Sequence, residues 1–171
     1  MDIRLTINGK EVQLTKEQMN ELGLMAESKK TGYERSHVGR QYYYGESGGT
    51  YSIFVDKRDM VDNRHYDCAN YYNDKNLARD NTRADTLMRN LRRYAAEHGG
   101  IPSVEDWDNA GLKKYRIIFD YSAGQPIISA SVEWRSFGTI YFTSKSDCQE
   151  ALRIYVDELM WYFTKYEPMM R

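Results

Sequence analysis

The chain has 171 residues, a formal net charge of −1 and two cysteines. This length suits one compact domain or two small subdomains and makes a deeply enclosed active site unusual. The near-zero charge excludes a global field that steers a protein to nucleic acid or to a membrane surface. Two cysteines are too few for a disulfide framework. No apolar run approaches the roughly 20 residues that span a bilayer. Met1–Arg4 lacks the basic start of a signal peptide. These features predict a cytoplasmic protein that does not enter a membrane.

Residues 1–26 are predicted to form a small hairpin followed by a short helix. Apolar and polar residues alternate on both sides of Asn8-Gly9, a dipeptide that favours a two-residue hairpin turn because it tolerates positive φ at both positions. Thr15 and Gln18 have the spacing of a capping box, which predicts that a helix begins there.

Residues 36–100 are predicted to form a unit of three antiparallel strands and one helix. The predicted strands are Gln41–Tyr44, Tyr51–Val55 and Tyr66–Tyr72. Asp56–Asn63 is predicted to form a charged loop between the second strand and the third. From Asp74 onward, apolar residues recur at helical spacing between Leu77 and Ala95. Gly99-Gly100 ends this helix.

Residues 112–167 are predicted to form a second unit of the same kind. Its predicted strands are Tyr115–Tyr121, Ile127–Trp134 and Thr139–Phe142. Ser144, with Asp147 three residues later, predicts the capped start of a single amphipathic helix that continues to Phe163.

The two predicted units share a short sequence at the point where the last strand meets the helix. Tyr71-Tyr72-Asn73-Asp74-Lys75 is nearly repeated as Tyr141-Phe142-Thr143-Ser144-Lys145. A three-stranded sheet needs a helix to cover one of its faces. We therefore predict an α+β fold of two similar antiparallel three-strand-plus-helix units, preceded by the N-terminal hairpin and helix. The two units could pair into one six-stranded sheet or pack helix against helix.

The residue types that usually carry chemistry do not form a recognisable motif. The histidines His37, His65 and His98 have no second ligand at metal-binding spacing. The series Asp56, Asp59 and Asp62 lacks the glycine and the terminal glutamate of a calcium loop and is interpreted as a solvated charged loop. Neither Cys68 nor Cys148 has a predictable base beside it. We therefore expect no catalytic residue, no metal site and no cofactor.

Charge distinguishes the two long helical segments. The segment 75–98 carries a net charge of +3, whereas the segment 144–167 carries −2. One interpretation is a pair of ordinary solvated faces that partly pair with each other. The other is that an arginine face contacts an acidic partner, either phosphates or a carboxylate-rich protein surface. Exposed tyrosines in the run Tyr42–Tyr44 would support recognition. The candidate partner-binding residues are Arg79, Arg83, Arg89, Arg92 and Arg93.

Several segments together resemble small accessory proteins that phages and prophages of Gram-positive bacteria encode. The resemblance covers most of residues 1–167 and depends on the segments NGKEVQLT, TGYER, RHYDCANYYNDKNLA, FGTIYFTSKSDCQEA and DELMWYF. Ala69 stands where a glycine is expected before Asn70, and Cys148 takes the position of a small residue. No catalytic motif accompanies the resemblance.

The resemblance implies a biological context for the chain. Small phage accessory proteins often act by binding a host machine, and anti-defence proteins such as anti-CRISPR proteins are prominent among them. The leading hypothesis is therefore a protein that binds and inhibits a host protein or ribonucleoprotein complex of a defence system, foremost a CRISPR effector. It would use the arginine face or the acidic C-terminal helix, and direct contact with nucleic acid is part of the hypothesis. Two alternatives stay open: a small nuclease or nucleic-acid-binding protein acting on guide RNA, and a structural or regulatory phage protein. The oligomeric state is not predicted.

Overall fold

The computed structural model describes residues 4–7, 10–15, 18–19 and 30–170. The chain separates into two compact units, one that extends to Lys30 and one from Thr31 to Met170. The described elements are helices and two-stranded antiparallel sheets, which confirms the predicted α+β class. Within the described residues, no helix is long and apolar enough to cross a membrane.

The first unit contains the predicted hairpin. Strand β1 (Arg4–Ile7) pairs antiparallel with strand β2 (Lys10–Gln13), while the predicted Asn8-Gly9 turn lies outside the described residues. The N–H of Thr15 donates to Oε1 of Gln18 over 3.0 Å, and the N–H of Gln18 donates to Oγ1 of Thr15 over 3.2 Å. The predicted capping box is therefore confirmed, and the rest of that predicted helix lies outside the described residues.

The second unit begins with a tyrosine-rich hairpin. Strand β3 (Gln41–Gly45) pairs antiparallel with strand β4 (Tyr51–Val55), as the sequence predicts. Tyr42 is fully buried, and Tyr43 and Tyr44 are half-buried. Tyr42 therefore belongs to the core, and Tyr43 and Tyr44 keep only part of their surface for the contacts that exposed tyrosines would support.

A helix follows β4 where the sequence predicted a charged loop and a third strand. Helix α1 spans Met60–Asp67, and a capping box formed by Asp59 and Asp62 holds its first turn. The prediction of a third strand over Tyr66–Tyr72 is wrong, because this cap starts a helix that continues to Asp67. A single antiparallel bridge between Tyr43 and Tyr72 is what remains of that strand.

Helix α2 (Lys75–Glu97) is the longest described element and begins as predicted. The carboxylate of Asp74 accepts hydrogen bonds from the N–H groups of Asn76 and Leu77, each over 2.8 Å. The predicted apolar stripe is buried, apart from the half-buried Met88. The position of this stripe places the exposed arginines on the opposite side and along the flanks of the helix.

A one-turn helix α3 (Val104–Asp108) follows α2, and the last of the three described hairpins comes after it. Strand β5 (Lys114–Asp120) pairs antiparallel with strand β6 (Gln125–Ser131). The prediction that the second strand continues to Trp134 is wrong, because Oγ of Ser131 binds the N–H of Trp134 over 3.1 Å and turns the chain away from the sheet. The predicted third strand is also wrong: it reduces to one bridge, between Tyr115 and Phe142.

Two helices close the chain where one was predicted. They are α4 (Lys145–Ile154) and α5 (Val156–Thr164), and Tyr155 separates them. The predicted cap is confirmed, since Oγ of Ser144 accepts a hydrogen bond from the N–H of Asp147 over 3.4 Å. Helical periodicity continues across the break, which explains why the sequence predicted a single helix.

The core of the second unit lies where α2 packs against α4 and α5. Its buried members are Leu87, Leu91, Tyr94, Ala95, Phe142, Cys148, Ala151 and Leu159. The described hairpins form separate two-stranded sheets, so helix-against-helix packing is observed and a six-stranded sheet is not. Each of the two later hairpins is followed by an isolated bridge and a capped helix. That residues 36–100 and 112–167 are two copies of one unit nevertheless stays a prediction. Helix α1 interrupts the first of these ranges, and the break at Tyr155 divides the final helix of the second.

Candidate partner-binding surface

The five arginines predicted to bind a partner all lie on α2, and the structure divides them into two groups. Arg89, Arg92 and Arg93 are exposed. Arg89 donates to Oγ1 of Thr86 over 3.0 Å, and Arg93 donates to Oδ1 of Asn90 over 3.5 Å. Among the described residues, none of these three arginines forms an ion pair with a carboxylate. Their charge is therefore available to a partner.

The other two arginines are paired within the molecule. Nε of Arg79 lies 2.9 Å from Oδ1 of its neighbour Asp80. Arg83 makes a bidentate contact with Glu158 of α5, at 2.8 Å and 2.9 Å, and its guanidinium carbon lies 4.0 Å from the ring centroid of Trp161. Arg83 therefore joins α2 to α5, and this part of the basic helix pairs with the acidic one.

The clamp formed by Arg83 and Glu158 should contribute measurably to stability. We expect a double-mutant cycle of Arg83→Ala and Glu158→Ala, followed by urea denaturation, to give a coupling energy of about 1 kcal/mol. The exposed pair of Arg153 and Glu150 on α4 is the matched control, and we expect its coupling to be smaller because water screens both side chains. Equal coupling in the two cycles would show that the contact with Trp161 adds nothing.

A loop with two exposed aromatic side chains leaves the end of β6. We name residues 132–138 the aromatic loop. The side chain of Trp134 is 77% exposed, and that of Phe137 is 105% exposed. Large aromatic residues fully in water are unfavourable for an isolated chain and are enriched where proteins contact partners. Arg135 lies between them in the sequence and is also exposed.

Hydrogen bonds from buried residues hold the backbone of the aromatic loop. The hydroxyl of Tyr141, a residue only 3% exposed, accepts from the N–H of Ser136 over 3.0 Å and donates to the carbonyl of Trp134 over 3.3 Å. Nη1 of Arg116 donates to Oγ of Ser136 over 2.8 Å and to the hydroxyl of Tyr141 over 3.1 Å. Oγ of Ser131 donates to the carbonyl of Trp134 over 2.7 Å. The loop is thus pre-organised, which lowers the entropy lost when it binds.

Electrostatics at Tyr141 agree with this supporting role. Burial alone would raise the pKa of Tyr141, but the hydrogen bonds from Ser136 and the positive charge of Arg116 outweigh burial and lower its pKa. Nε of Arg116 is buried and has no hydrogen-bond partner among the described residues.

An apolar groove of about 390 Å³ opens beside the aromatic loop. Helix α2, β5, the loop and α5 all contribute to its walls, through residues that include Met88, Ile118, Phe137, Tyr162 and Phe163. Phe137 belongs both to the exposed loop and to this wall. The groove and the loop therefore form one continuous surface on which an apolar group of a partner could be covered.

A smaller pocket of about 280 Å³ shares Gly138, Thr139 and Ile140 with the wall of this groove. We name it the arginine pocket, because Arg92 of α2 and Arg135 of the loop both line it, together with Trp107 and Tyr141. The guanidinium carbon of Arg135 lies 5.8 Å from the ring centroid of Trp107. No carboxylate lines this pocket among the described residues. Of the five arginines predicted from sequence, Arg92 is the one that lines it.

A second group of polar residues, between the hairpin β3–β4 and helix α1, is buried and structural. The hydroxyl of Tyr42 lies 2.7 Å from Oδ1 of Asp62 and 2.8 Å from Nδ1 of His65. Burial raises the pKa of Asp62, but hydrogen bonds from Tyr42 and from the N–H groups of Lys57 and Asp59 outweigh it and lower the pKa. Because Asp62 is then a carboxylate, Tyr42 donates to it, and Nδ1–H of His65 donates to Tyr42.

Asp56 anchors the other end of this buried group. Its carboxylate accepts from the hydroxyl of Tyr71 over 2.9 Å, from the N–H of Arg58 over 2.8 Å and from Nε of Arg35 over 3.3 Å. The ring of Tyr71 stacks on that of Tyr42 with centroids 4.0 Å apart. The interpretation of this aspartate series as a solvated loop is therefore wrong, because Asp56 is fully buried.

The remaining candidates for chemistry are dispersed. Cys68 is exposed, whereas Cys148 is buried in the core, and its burial raises the pKa of the thiol to about 12. His98 stacks on Tyr94 with ring centroids 4.1 Å apart, and His37 is exposed. Among the described residues, no group of three or more His, Cys, Asp or Glu side chains is placed to hold a metal ion.

Comparison with known proteins adds no family to this description. No family model, curated protein or solved structure matches the chain. The aromatic loop is thus identified by its geometry alone. Sequence analysis missed it because Trp134 was assigned to a strand, although a Ser-Phe-Gly corner directly after a tryptophan and an arginine was the available signal.

Proposed function

We propose that this protein acts by binding a partner through the aromatic loop and the groove beside it. The observation that carries the proposal is the pair of exposed aromatic side chains, Trp134 and Phe137, on a backbone that buried Tyr141 holds in place. Aromatic and arginine residues dominate the energy of protein interfaces, especially when they are pre-organised. Arg92 and Arg135 add charge beside them.

The partner in this proposal is a host nucleoprotein complex of a defence system, foremost a CRISPR effector, which the protein inhibits by occupying a surface. The resemblance of the chain to phage and prophage accessory proteins supports this choice of partner. The unpaired arginines support it as well, because a nucleoprotein presents both an apolar protein surface and phosphates. The acidic C-terminal helix has a smaller part in this proposal, since Glu158 is already paired with Arg83.

The test is an affinity purification of the tagged protein from its host, with and without nuclease treatment. We expect a stoichiometric complex with the wild-type chain, identified by mass spectrometry, and its loss in the double variant Trp134→Ala/Phe137→Ala. The matched control is Met60→Ala/Val38→Ala, which removes two exposed apolar side chains from the first half, 83% and 65% exposed. The control should retain the complex.

Two further results decide between this proposal and its alternatives. The purified effector should no longer cleave its target when the protein is added, and its guide RNA should stay intact. Shortened guide RNA would instead indicate a nuclease. The charge-reversal variant Arg89→Glu/Arg92→Glu/Arg93→Glu should bind more weakly than the wild type. Recovery of virion or phage proteins alone would favour a structural role and contradict the inhibitor proposal.

A further inference from the structure

The arginine pocket and the aromatic loop have a combination of features that points to a particular ligand. Arg92 and Arg135 both line the pocket, and no carboxylate-bearing residue lines it among the described residues. Neither arginine forms an ion pair or a hydrogen bond with a described side chain, and the guanidinium carbon of Arg135 lies 5.8 Å from the ring centroid of Trp107. Two arginines that line one pocket without a carboxylate beside them favour the binding of an anion there.

The aromatic loop provides the second feature. Phe137 is fully exposed and Trp134 is 77% exposed, so solvent reaches the ring faces of both side chains. Exposed aromatic rings next to a positively charged groove are the typical platform for the bases of single-stranded nucleic acid. In a duplex the base faces are stacked on one another and are not available to these rings.

We propose that this surface binds single-stranded nucleic acid. Arg92 and Arg135 contact backbone phosphates in the arginine pocket, and Trp134 and Phe137 stack on neighbouring bases. This inference rests on the proposed function and deepens it, because it assigns the nucleic-acid part of a nucleoprotein partner to this surface. The overall charge of −1 does not oppose it, since phosphates respond to the local charge within about 10 Å at moderate ionic strength.

Direct binding by the purified full-length chain tests the proposal. The probes are fluorescein-labelled oligouridylate and oligothymidylate strands of about 20 nucleotides, a length that exceeds the usual site of one small domain. A blunt duplex of the same length is the third probe. Fluorescence anisotropy at several salt concentrations gives the Kd and its salt dependence. We expect both single strands to bind more tightly than the duplex, and stronger binding of oligouridylate would identify RNA as the preferred strand.

Two sets of variants separate the roles of the charged and the aromatic residues. Arg92→Ala/Arg135→Ala should weaken binding and reduce the slope of log Kd against log salt by about 1.4, because two phosphate contacts are lost. Trp134→Ala and Phe137→Ala should each weaken binding by about 5- to 100-fold and leave that slope unchanged. A merely structural role of the arginines would not change the slope in this way.

Controls make a negative result interpretable. Arg40→Ala/Arg64→Ala removes the same charge from two exposed positions in the first half and should leave binding to the strands nearly unchanged. Circular dichroism verifies that each variant is folded. The proposal is overturned if the folded wild type does not bind either strand, or if the control pair changes the slope as much as the pocket pair. If the strands do not bind but the loop-dependent complex of the previous section is still recovered, the partner is a protein surface and only this inference fails.

Discussion

Asp62→Ala is expected to lower the free energy of unfolding by about 3 kcal/mol. Asp62 is 3% exposed and accepts hydrogen bonds from the hydroxyl of Tyr42 over 2.7 Å and from the N–H of Lys57 over 2.7 Å. It also completes the capping box of α1 with Asp59. Its removal therefore leaves a buried hydroxyl and backbone donors without partners, and each such group is costly in a low-dielectric interior.

Urea denaturation of the wild type and variants measures this loss. Asp67→Ala is the matched control, because Asp67 lies on the same helix and is exposed, and its loss should change stability by less than about 0.5 kcal/mol. Tyr42→Phe should cost about 1 to 2 kcal/mol, since it removes the shared hydroxyl but keeps the stacked ring. A loss below about 1 kcal/mol for Asp62→Ala would show that water replaces these hydrogen bonds.

Acid is expected to destabilise the protein in two stages, because the buried group contains a histidine and two aspartates. Burial lowers the pKa of His65, helped by the charge of Arg64 and opposed by those of Asp62 and Asp59. The neutral histidine is thus the folded form. Stability is complete above the ordinary histidine pKa of 6.5 and falls as the pH drops below it, because the unfolded chain binds the proton more readily.

The second stage involves the carboxylates. Hydrogen bonds lower the pKa of both Asp56 and Asp62 in spite of burial. Their stabilising contribution is present above the ordinary pKa of 3.8 and is lost as the pH falls through the lower folded values. Each unit of pKa difference corresponds to about 1.4 kcal/mol once titration is complete.

The free energy of unfolding, measured by urea denaturation between about pH 8 and pH 3, tests both stages. His65→Gln keeps a side-chain donor near Tyr42 but does not titrate, so this variant should lose the decline near neutral pH and keep the decline in acid. His37→Gln, at an exposed position, is the control and should behave like the wild type. A wild-type curve that is flat between about pH 7 and pH 5 would contradict the role of His65.

The buried polar group and the proposed binding surface lie in different parts of the second unit. The buried group of Tyr42, Asp62 and His65 lies at the hairpin β3–β4, whereas the aromatic loop follows the hairpin β5–β6. Variants of the loop surface, such as Trp134→Ala, should therefore change binding with little effect on unfolding. Exposed side chains contribute little to stability, which makes the loop a suitable place for clean tests of function.

The starts of α2 and α4 were predictable because their determinants are local. Asp74 and Ser144 cap helices whose first backbone donors lie two or three residues away in the sequence. The capping box of Thr15 and Gln18 was identified for the same reason. The apolar stripe of α2 was predictable as well, since helical periodicity places its members on one face wherever that face packs.

The prediction of a third strand in each unit was wrong, and the cause differs between them. In the first, Asp59 and Asp62 form a capping box that was interpreted as part of a charged loop, so α1 was missed. In the second, one residue, Phe142, pairs with Tyr115, and residues 139–141 form no strand. Short alternating runs do not distinguish an edge strand from such a segment.

The candidate site depended on contacts between residues far apart in the chain. Arg83 and Arg92 look equivalent in sequence, but Arg83 pairs with Glu158, 75 residues away, while Arg92 lines a pocket with Arg135. Likewise, Tyr141 and Arg116 hold the aromatic loop, although neither has a sequence signal for that role.

The sequence by itself determined the α+β class, the three hairpins and the starts of the long helices. These features depend on turn residues, caps and periodicity, whose energies come from neighbours a few residues away. Only the tertiary structure decided which charges are paired, which tyrosines are buried and which aromatic residues stay in water. Burial and pairing depend on surfaces that meet only after the chain has folded, so no local pattern encodes the exposure of the aromatic side chains or the arginine pocket.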